Sequence, residues 1–232
     1  MHDASGVAAA GDGGRAPGRL IVFEGAEGAG KSTQLRLLAE WLAARGRTVV
    51  AVREPGGTIL GDEIRRILLD PASDITPRAE AHLFMASRAQ LVEREVRPAL
   101  ARGADVLLDR FFLSTYAYQV AGRGLGEGEV RTANALATAG LVPDLTLLLA
   151  LPVEEGLRRA AARGGADRME GEGSDFHARV AAAFTAYADP AWQAGHPECG
   201  PIVAVDASGA PGDVSARIAR VLAGRWPETF PA

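Results

Sequence analysis

Cysteine is almost missing from this sequence: Cys199 stands alone in 232 residues. No internal disulfide can form, which fits a reducing compartment and a cytoplasmic protein. Apolar runs long enough to span a membrane are absent too. The opening stretch, MHDASGVAAAGDGGRAPGR, lacks the basic region and long apolar segment of a secretory signal. It also lacks large apolar residues, so residues 1–18 read as a disordered N-terminal tail ahead of one domain at 19–232. There is no excess of positive charge. The net charge is −4, which argues against bulk binding to nucleic acid or to an acidic membrane surface. The four histidines are scattered without metal-ligand spacing, and His196 with Cys199 supplies only two ligands of a zinc site. No internal repeat and no domain-sized linker is present.

What remains is an ordinary globular mixture, 47% apolar and 23% charged. Apolar strand patterns alternate with helical ones. LIVFE (20–24), TVVAVRE (48–54), DVLLDR (105–110), 145–151 and 202–206 read as strands. Helical patterns cover 31–45, 60–69, 78–101, 114–120, 129–139, 153–163, 175–188 and 214–223. Pro98 predicts a kink or break in the third of these. GRGLGEG reads as a flexible loop. Strands separated by helices imply an α/β fold, a five-stranded parallel sheet with helices on both faces.

The stretch Gly25-Ala26-Glu27-Gly28-Ala29-Gly30-Lys31-Ser32 fits G-x-x-x-x-G-K-[ST] in full. The glycines let the backbone close around phosphate oxygens with its N–H groups. Lys31 reaches the β- and γ-phosphates, the Ser32 hydroxyl ligates Mg²⁺, and the helix start adds positive potential. Thr33 continues this ATP-binding stretch. The strand before and the helix after are the context such a loop requires. A GTPase switch would carry N-K-x-D, and none is present. A mechanical ATPase would end an apolar strand in paired acids, whereas VLLD ends in Asp109-Arg110. Asp109, at the C-terminal end of a parallel strand, suits the Mg²⁺ shell.

Arg53 and Arg110 each close a strand, so both belong on the edge that carries the glycine loop. A pair of arginines there suits an acceptor that is itself a phosphomonoester. Such a group is mostly dianionic at neutral pH, with its second pKa at about 6. Its oxygen needs no general base; the obstacle is repulsion between two anions, which arginines neutralise.

GAEGAGKST, REPGGT (53–58), LFMASRAQL (83–91), DRFFLSTYAYQ (109–119) and RGGADRME (163–170), in that order, resemble the bacterial thymidylate kinases. The likeness runs from about residue 20 to 223. It implies transfer of the γ-phosphoryl of Mg·ATP to dTMP. Arg53 and Arg110 would hold the acceptor phosphate, beside a Glu54–Pro55 bond that is often cis in the family. Phe84 would stack on thymine and Arg88, one turn on, would hydrogen-bond it. Thr115 and Gln119 match polar positions near the base and sugar, and Tyr118 the aromatic that crowds the 2′ position. Pro55 and Ser114 belong to the same substrate-binding set. Glu27 resembles an acid near Mg²⁺ and the acceptor sugar. The family is usually homodimeric, which implies a dimer through an apolar helical face.

Some family members place an arginine inside the phosphate loop, where this chain has Gly28. The charge over the γ-phosphate should then come from a lid at about 158–175, with Arg163 and Arg168 matching its pattern best. Ala161 replaces an arginine and Ala150 an acid found in relatives. The loop DASGAPGDV (206–214) would border adenine. Two other readings are a kinase for another nucleoside monophosphate, such as dUMP or dCMP, and a nucleotide-binding ATPase without an acceptor. The constellation of Arg53, Phe84, Arg88 and Arg110 has no role in the last.

Overall fold

The five residues of LIVFE are all buried, as an apolar run must be when helices cover both faces of a parallel strand. This is β1 (Leu20–Glu24), the central strand. The computed structural model describes residues 18–161 and 167–230. β1 lies between β3 (Asp105–Asp109) and β4 (Leu145–Ala150), with β2 (Val49–Arg53) and β5 (Ile202–Asp206) at the edges. All pairings are parallel, so the fold is the five-stranded α/β sheet expected. The side-chain period of two sends Leu20, Val22, Val106 and Leu108 to one face, Ile21, Phe23, Leu107 and Leu147 to the other.

Leu35, Leu38 and Leu42 of α1 (Lys31–Ala43) cover the second face, together with Val214, Ile218 and Leu222 of α10 (Pro211–Arg225). Each fully buried leucine contributes about 1.5–3 kcal/mol. The first face is covered by the end of α3 (Pro77–Leu91), by the segment after β3, and by α8 (Ser174–Ala186). α2 (Ile59–Leu69) begins at Thr58, whose hydroxyl accepts from the Gly61 N–H at 2.9 Å.

Several boundaries differ from the periodicity. The helix expected to break near Pro98 widens instead into π-helical turns at Val92–Val96, then continues as α4 (Arg97–Ala101). The wider turn accommodates a residue without an N–H. α5 (Phe112–Thr115) likewise passes into π-helical turns over Tyr116–Gly122. α6 (Glu127–Thr138) begins inside the expected GRGLGEG loop. α7 (Val153–Ala161) leads toward the expected lid. A short helix α9 (Pro190–Gly195) and a 3₁₀ turn at Pro197–Cys199 were not read from the sequence. They carry Trp192 stacked on His196, with Tyr116 edge-on, a structural role for that histidine. The tail expected at 1–18 lies outside the described residues except for Gly18, as does Arg163 in the lid.

Candidate active site

The loop that leaves β1 runs between two cavities, each of about 340 Å³. The larger is a cleft toward β2 and β3. The other opens toward the β5–α10 loop. Glu27, Gly28, Gly30, Lys31, Ser32 and Thr33 line the cleft; Gly28, Ala29, Gly30 and Thr33 also line the second cavity. A chain that wraps an anion between two chambers needs backbone that side chains cannot follow. Gly28 has φ 72°, and a Cβ there would lie 2.1 Å from the Gly156 carbonyl oxygen. The Lys31 ammonium donates to the carbonyls of Gly25 and Ala26, both at 2.9 Å. Burial, with Arg110 nearby, lowers its pKa to about 8.

Ser32 Oγ donates to Asp109 Oδ2 at 2.5 Å. Glu27 Oε2 accepts from Arg110 Nη2 at 3.2 Å. A hydroxyl and two carboxylates at the mouth of a phosphate loop form the all-oxygen donor set that a hard divalent cation prefers. The residues therefore fit Mg²⁺.

Sheet register brings the two strand-end arginines together. Arg53 pairs with Asp109 across the β2–β3 ladder, so Arg110 follows directly on the same edge. Arg110 has φ 72°, rare for a side-chain-bearing residue. Its N–H donates to the Phe23 carbonyl at 3.0 Å. Its Nη1 donates to Ser114 Oγ at 3.0 Å, and that hydroxyl donates to Glu24 Oε2 at 2.6 Å. Glu24 is fully buried at the end of β1, where it also accepts the N–H groups of Phe111 and Ser114 at 2.7 and 3.0 Å. It thus caps the helix that carries the acceptor-side residues. Arg65 of α2 enters the same cleft and donates to the Pro55 carbonyl at 3.1 Å. Burial, then the charge of Arg53, holds its guanidinium below its ordinary value. Guanidinium groups gathered against their own repulsion make a site for a multiply charged anion.

Beyond the arginines the cleft is lined by Pro55, Phe84, Arg88, Ser114, Thr115, Tyr118 and Gln119. The Glu54–Pro55 bond is cis. Arg88 is 2% exposed. It donates to Glu54 Oε2 from Nε at 2.8 Å and from Nη2 at 2.5 Å, to the Phe111 carbonyl at 2.9 Å, and to Asn134 Oδ1. Four of its five N–H groups are thereby engaged. Burial pushes the Glu54 carboxyl up, against the opposing pull of Arg88.

Arg168 departs from the expected lid position. It does not line the cleft; its Nε donates to the Leu68 carbonyl at 2.8 Å and its Nη2 to Glu80 at 2.6 Å. That ion pair with the buried Glu80 carboxylate turns the guanidinium toward α3. Among the described residues of the lid, Asp167, Met169 and Glu170 line the cleft. Sequence reasoning passed over Arg65, Glu24 and Glu80. Only Glu24 left a signal, an acid at the end of a wholly apolar buried strand. The second cavity is lined by Arg159, Gln34, Ala207, Gly209, Pro211 and Val214, so the loop at 206–214 borders the far side of the phosphate loop.

A protein-family model described as "Thymidylate kinase" matches residues 23–194. Among curated proteins, the chain is 55% identical over 175 residues to a thymidylate kinase of Leifsonia xyli subsp. xyli, covering 74% of this chain and 82% of that one. It is 54% identical to a thymidylate kinase of Gloeobacter violaceus over 73% of this chain and 81% of the relative. It is 51% identical to one of Deinococcus radiodurans, with 75% and 85% covered.

Proposed function

The chain belongs to the thymidylate kinase family, and from that premise we propose how its residues carry the γ-phosphoryl group of ATP to dTMP, giving dTDP and ADP. ATP binds with its phosphates along Gly25–Thr33 and its adenine in the cavity beside Arg159 and the loop at 206–214. dTMP binds in the cleft, its phosphate between Arg53, Arg65 and Arg110, its base against Phe84 and Arg88. Thr115, Tyr118 and Gln119 close around base and sugar. Pro55 and Ser114 complete that wall. Nothing needs to deprotonate the acceptor, whose oxygen is already anionic; the protein's task is to hold two anions in line. Lys31 follows the charge that develops between β- and γ-phosphate. Arg163 is the lid arginine best matched to the γ-phosphate. Arg168 anchors the lid to Glu80 in this arrangement.

Ser32 and Asp109, with Glu27, would hold Mg²⁺, which neutralises phosphate charge when bound. The remaining proposals are a cytoplasmic homodimer and a single catalytic domain at 19–232, with the tail at 1–18 outside it and a lid near 158–175. No helix among the described residues is long and apolar enough to cross a membrane.

The observation that carries this reading is the phosphate loop lying between two chambers, one of which gathers Arg53, Arg65 and Arg110 beside Phe84 and Arg88. A nucleotide switch would need only one chamber. ADP formation from Mg·ATP should be measured with dTMP, dUMP, dCMP, dGMP and AMP, beside a control without acceptor. Turnover that depends on dTMP is expected. ADP release equal in the control would overturn the acceptor site, and turnover with another monophosphate alone would overturn the base pocket.

A further inference from the structure

Glu80 lies fully buried on α3, away from the phosphate loop, yet it receives hydrogen bonds from three side chains. Arg123 forks across it, Nε to Oε1 at 3.0 Å and Nη2 to Oε2 at 2.9 Å. Arg168 Nη2 reaches Oε2 at 2.6 Å. Burial would push this carboxyl up, but the bonds from Arg123, Arg168 and Gln119 outweigh it and hold the group below its ordinary value. The third side chain is Gln119, whose Nε2 lies 3.0 Å from Oε1.

An ionised carboxylate accepts hydrogen bonds and cannot donate them. The Gln119 amide must therefore turn its nitrogen toward Glu80, and only one of its two orientations satisfies the pair. Gln119 is 1% exposed and forms part of the cleft wall. With Nε2 held inward, Oε1 has no partner among the described residues and is the atom left for a ligand.

We propose that Glu80 is a positioning residue for acceptor selectivity: it locks Gln119 so that Oε1 meets the N3–H of a 4-oxopyrimidine and repels the N3 lone pair of a 4-aminopyrimidine. The proposal rests on reading the cleft as the dTMP site. Discrimination then comes from a mismatch built against the wrong base as much as from a bond to the right one. Arg123 and Arg168 serve the same end by keeping Glu80 charged.

The test compares dTMP with 5-methyl-dCMP, which differs only at the 4-substituent and N3. In Glu80→Gln, two amides can pair either way round, so Gln119 gains its second orientation. The ratio of kcat/KM for dTMP over 5-methyl-dCMP should fall by about tenfold or more, while KM for ATP changes by less than about twofold. In a Gln119→Ala background the same substitution should leave the ratio unchanged. A parallel loss for both acceptors, or an equal change of ratio in both backgrounds, would show that Glu80 only supports the fold. Absence of dTMP-dependent turnover in the natural protein would instead overturn the functional reading beneath this one. Should Glu80→Gln fail to fold, a crystal structure of the natural protein with dTMP decides: Oε1 of Gln119 within about 3.2 Å of N3 supports the proposal. Nε2 facing the base, or no contact with N3, overturns it.

Discussion

Burial and the adjacent Arg110 bring the Lys31 ammonium down to about 8, so its charge is lost within the range of ordinary assays. KM for ATP should rise as pH climbs from 7 to 9, although ATP itself is fully ionised there. The folding consequence has the opposite sign. Between about 8 and the ordinary lysine value of 10.5 the unfolded chain holds a proton that the folded chain has released. The unfolded state then binds more protons, and stability from this group rises with pH across that window. Denaturant titrations and KM for ATP at pH 7 to 10 check both trends, and Lys31→Met should flatten each; a flat profile in the natural protein would remove the low lysine pKa. At this scale the sequence was most informative where spacing does the chemistry, as in the phosphate loop. It was silent where partners are far apart. Glu54 and Arg88 are separated by 34 positions and meet only because β2 ends beside α3. Arg65 sits one arginine before Arg66, yet only Arg65 lines the cleft while Arg66 pairs with Glu63 in solvent. Helical phase relative to the sheet decides between them, and that phase is a tertiary property.

The elements show why this chain has no arginine in its phosphate loop. Gly28 and Gly156 face one another where α7 crosses the loop: a Cβ on Gly28 would meet the Gly156 carbonyl oxygen at 2.1 Å, and a Cβ on Gly156 would meet the Glu27 carbonyl oxygen at 2.5 Å. Real Cβ atoms do not approach this closely, so the two backbones are in direct contact and any side chain separates them. Displacing the loop by an ångström misplaces the phosphates it holds, at a cost of about a hundredfold in rate by comparison with other sites. Gly156→Ala should therefore lower kcat by about tenfold or more and change KM for dTMP much less, since the base-side wall of Phe84, Arg88 and Gln119 is untouched. Steady-state kinetics with each substrate varied checks this, and an unaltered kcat would mean that α7 gives way without disturbing the loop. The strands and their order of appearance were legible because buried parallel strands read as apolar runs. The π-helical turns at Val92–Val96 and Tyr116–Gly122 were not, since their period differs little from that of an α-helix over so few residues.

At the scale of the molecule, the exposed large apolar side chains among the described residues are Ile59, Leu60, Ile67, Leu136 and Val142. They fall on α2, on α6 or just beyond α6, and α3 packs against both of those helices. Leu136 is 85% exposed, in the last turn of a helix that has a buried face. Scattered apolar residues on a surface need no explanation, but several on α2 and α6, the two helices that flank α3, make this the candidate face for the proposed homodimer. The proposed dimer would use it as its apolar helical face, and α3 is also the helix that carries Phe84, Arg88 and Glu80. Self-association would thus brace the acceptor wall from behind. Leu136→Asp should shift the protein toward monomer in sedimentation velocity, because a charge buried without a partner costs several kcal/mol at an interface. Stability should hardly change in the monomer itself, where this side chain is already in water. If the dimer braces the acceptor wall, KM for dTMP should rise on dilution into the monomer range while KM for ATP holds. A dimer that persists at the same concentrations in Leu136→Asp would place the interface on another face and leave α3 supported by its own chain alone.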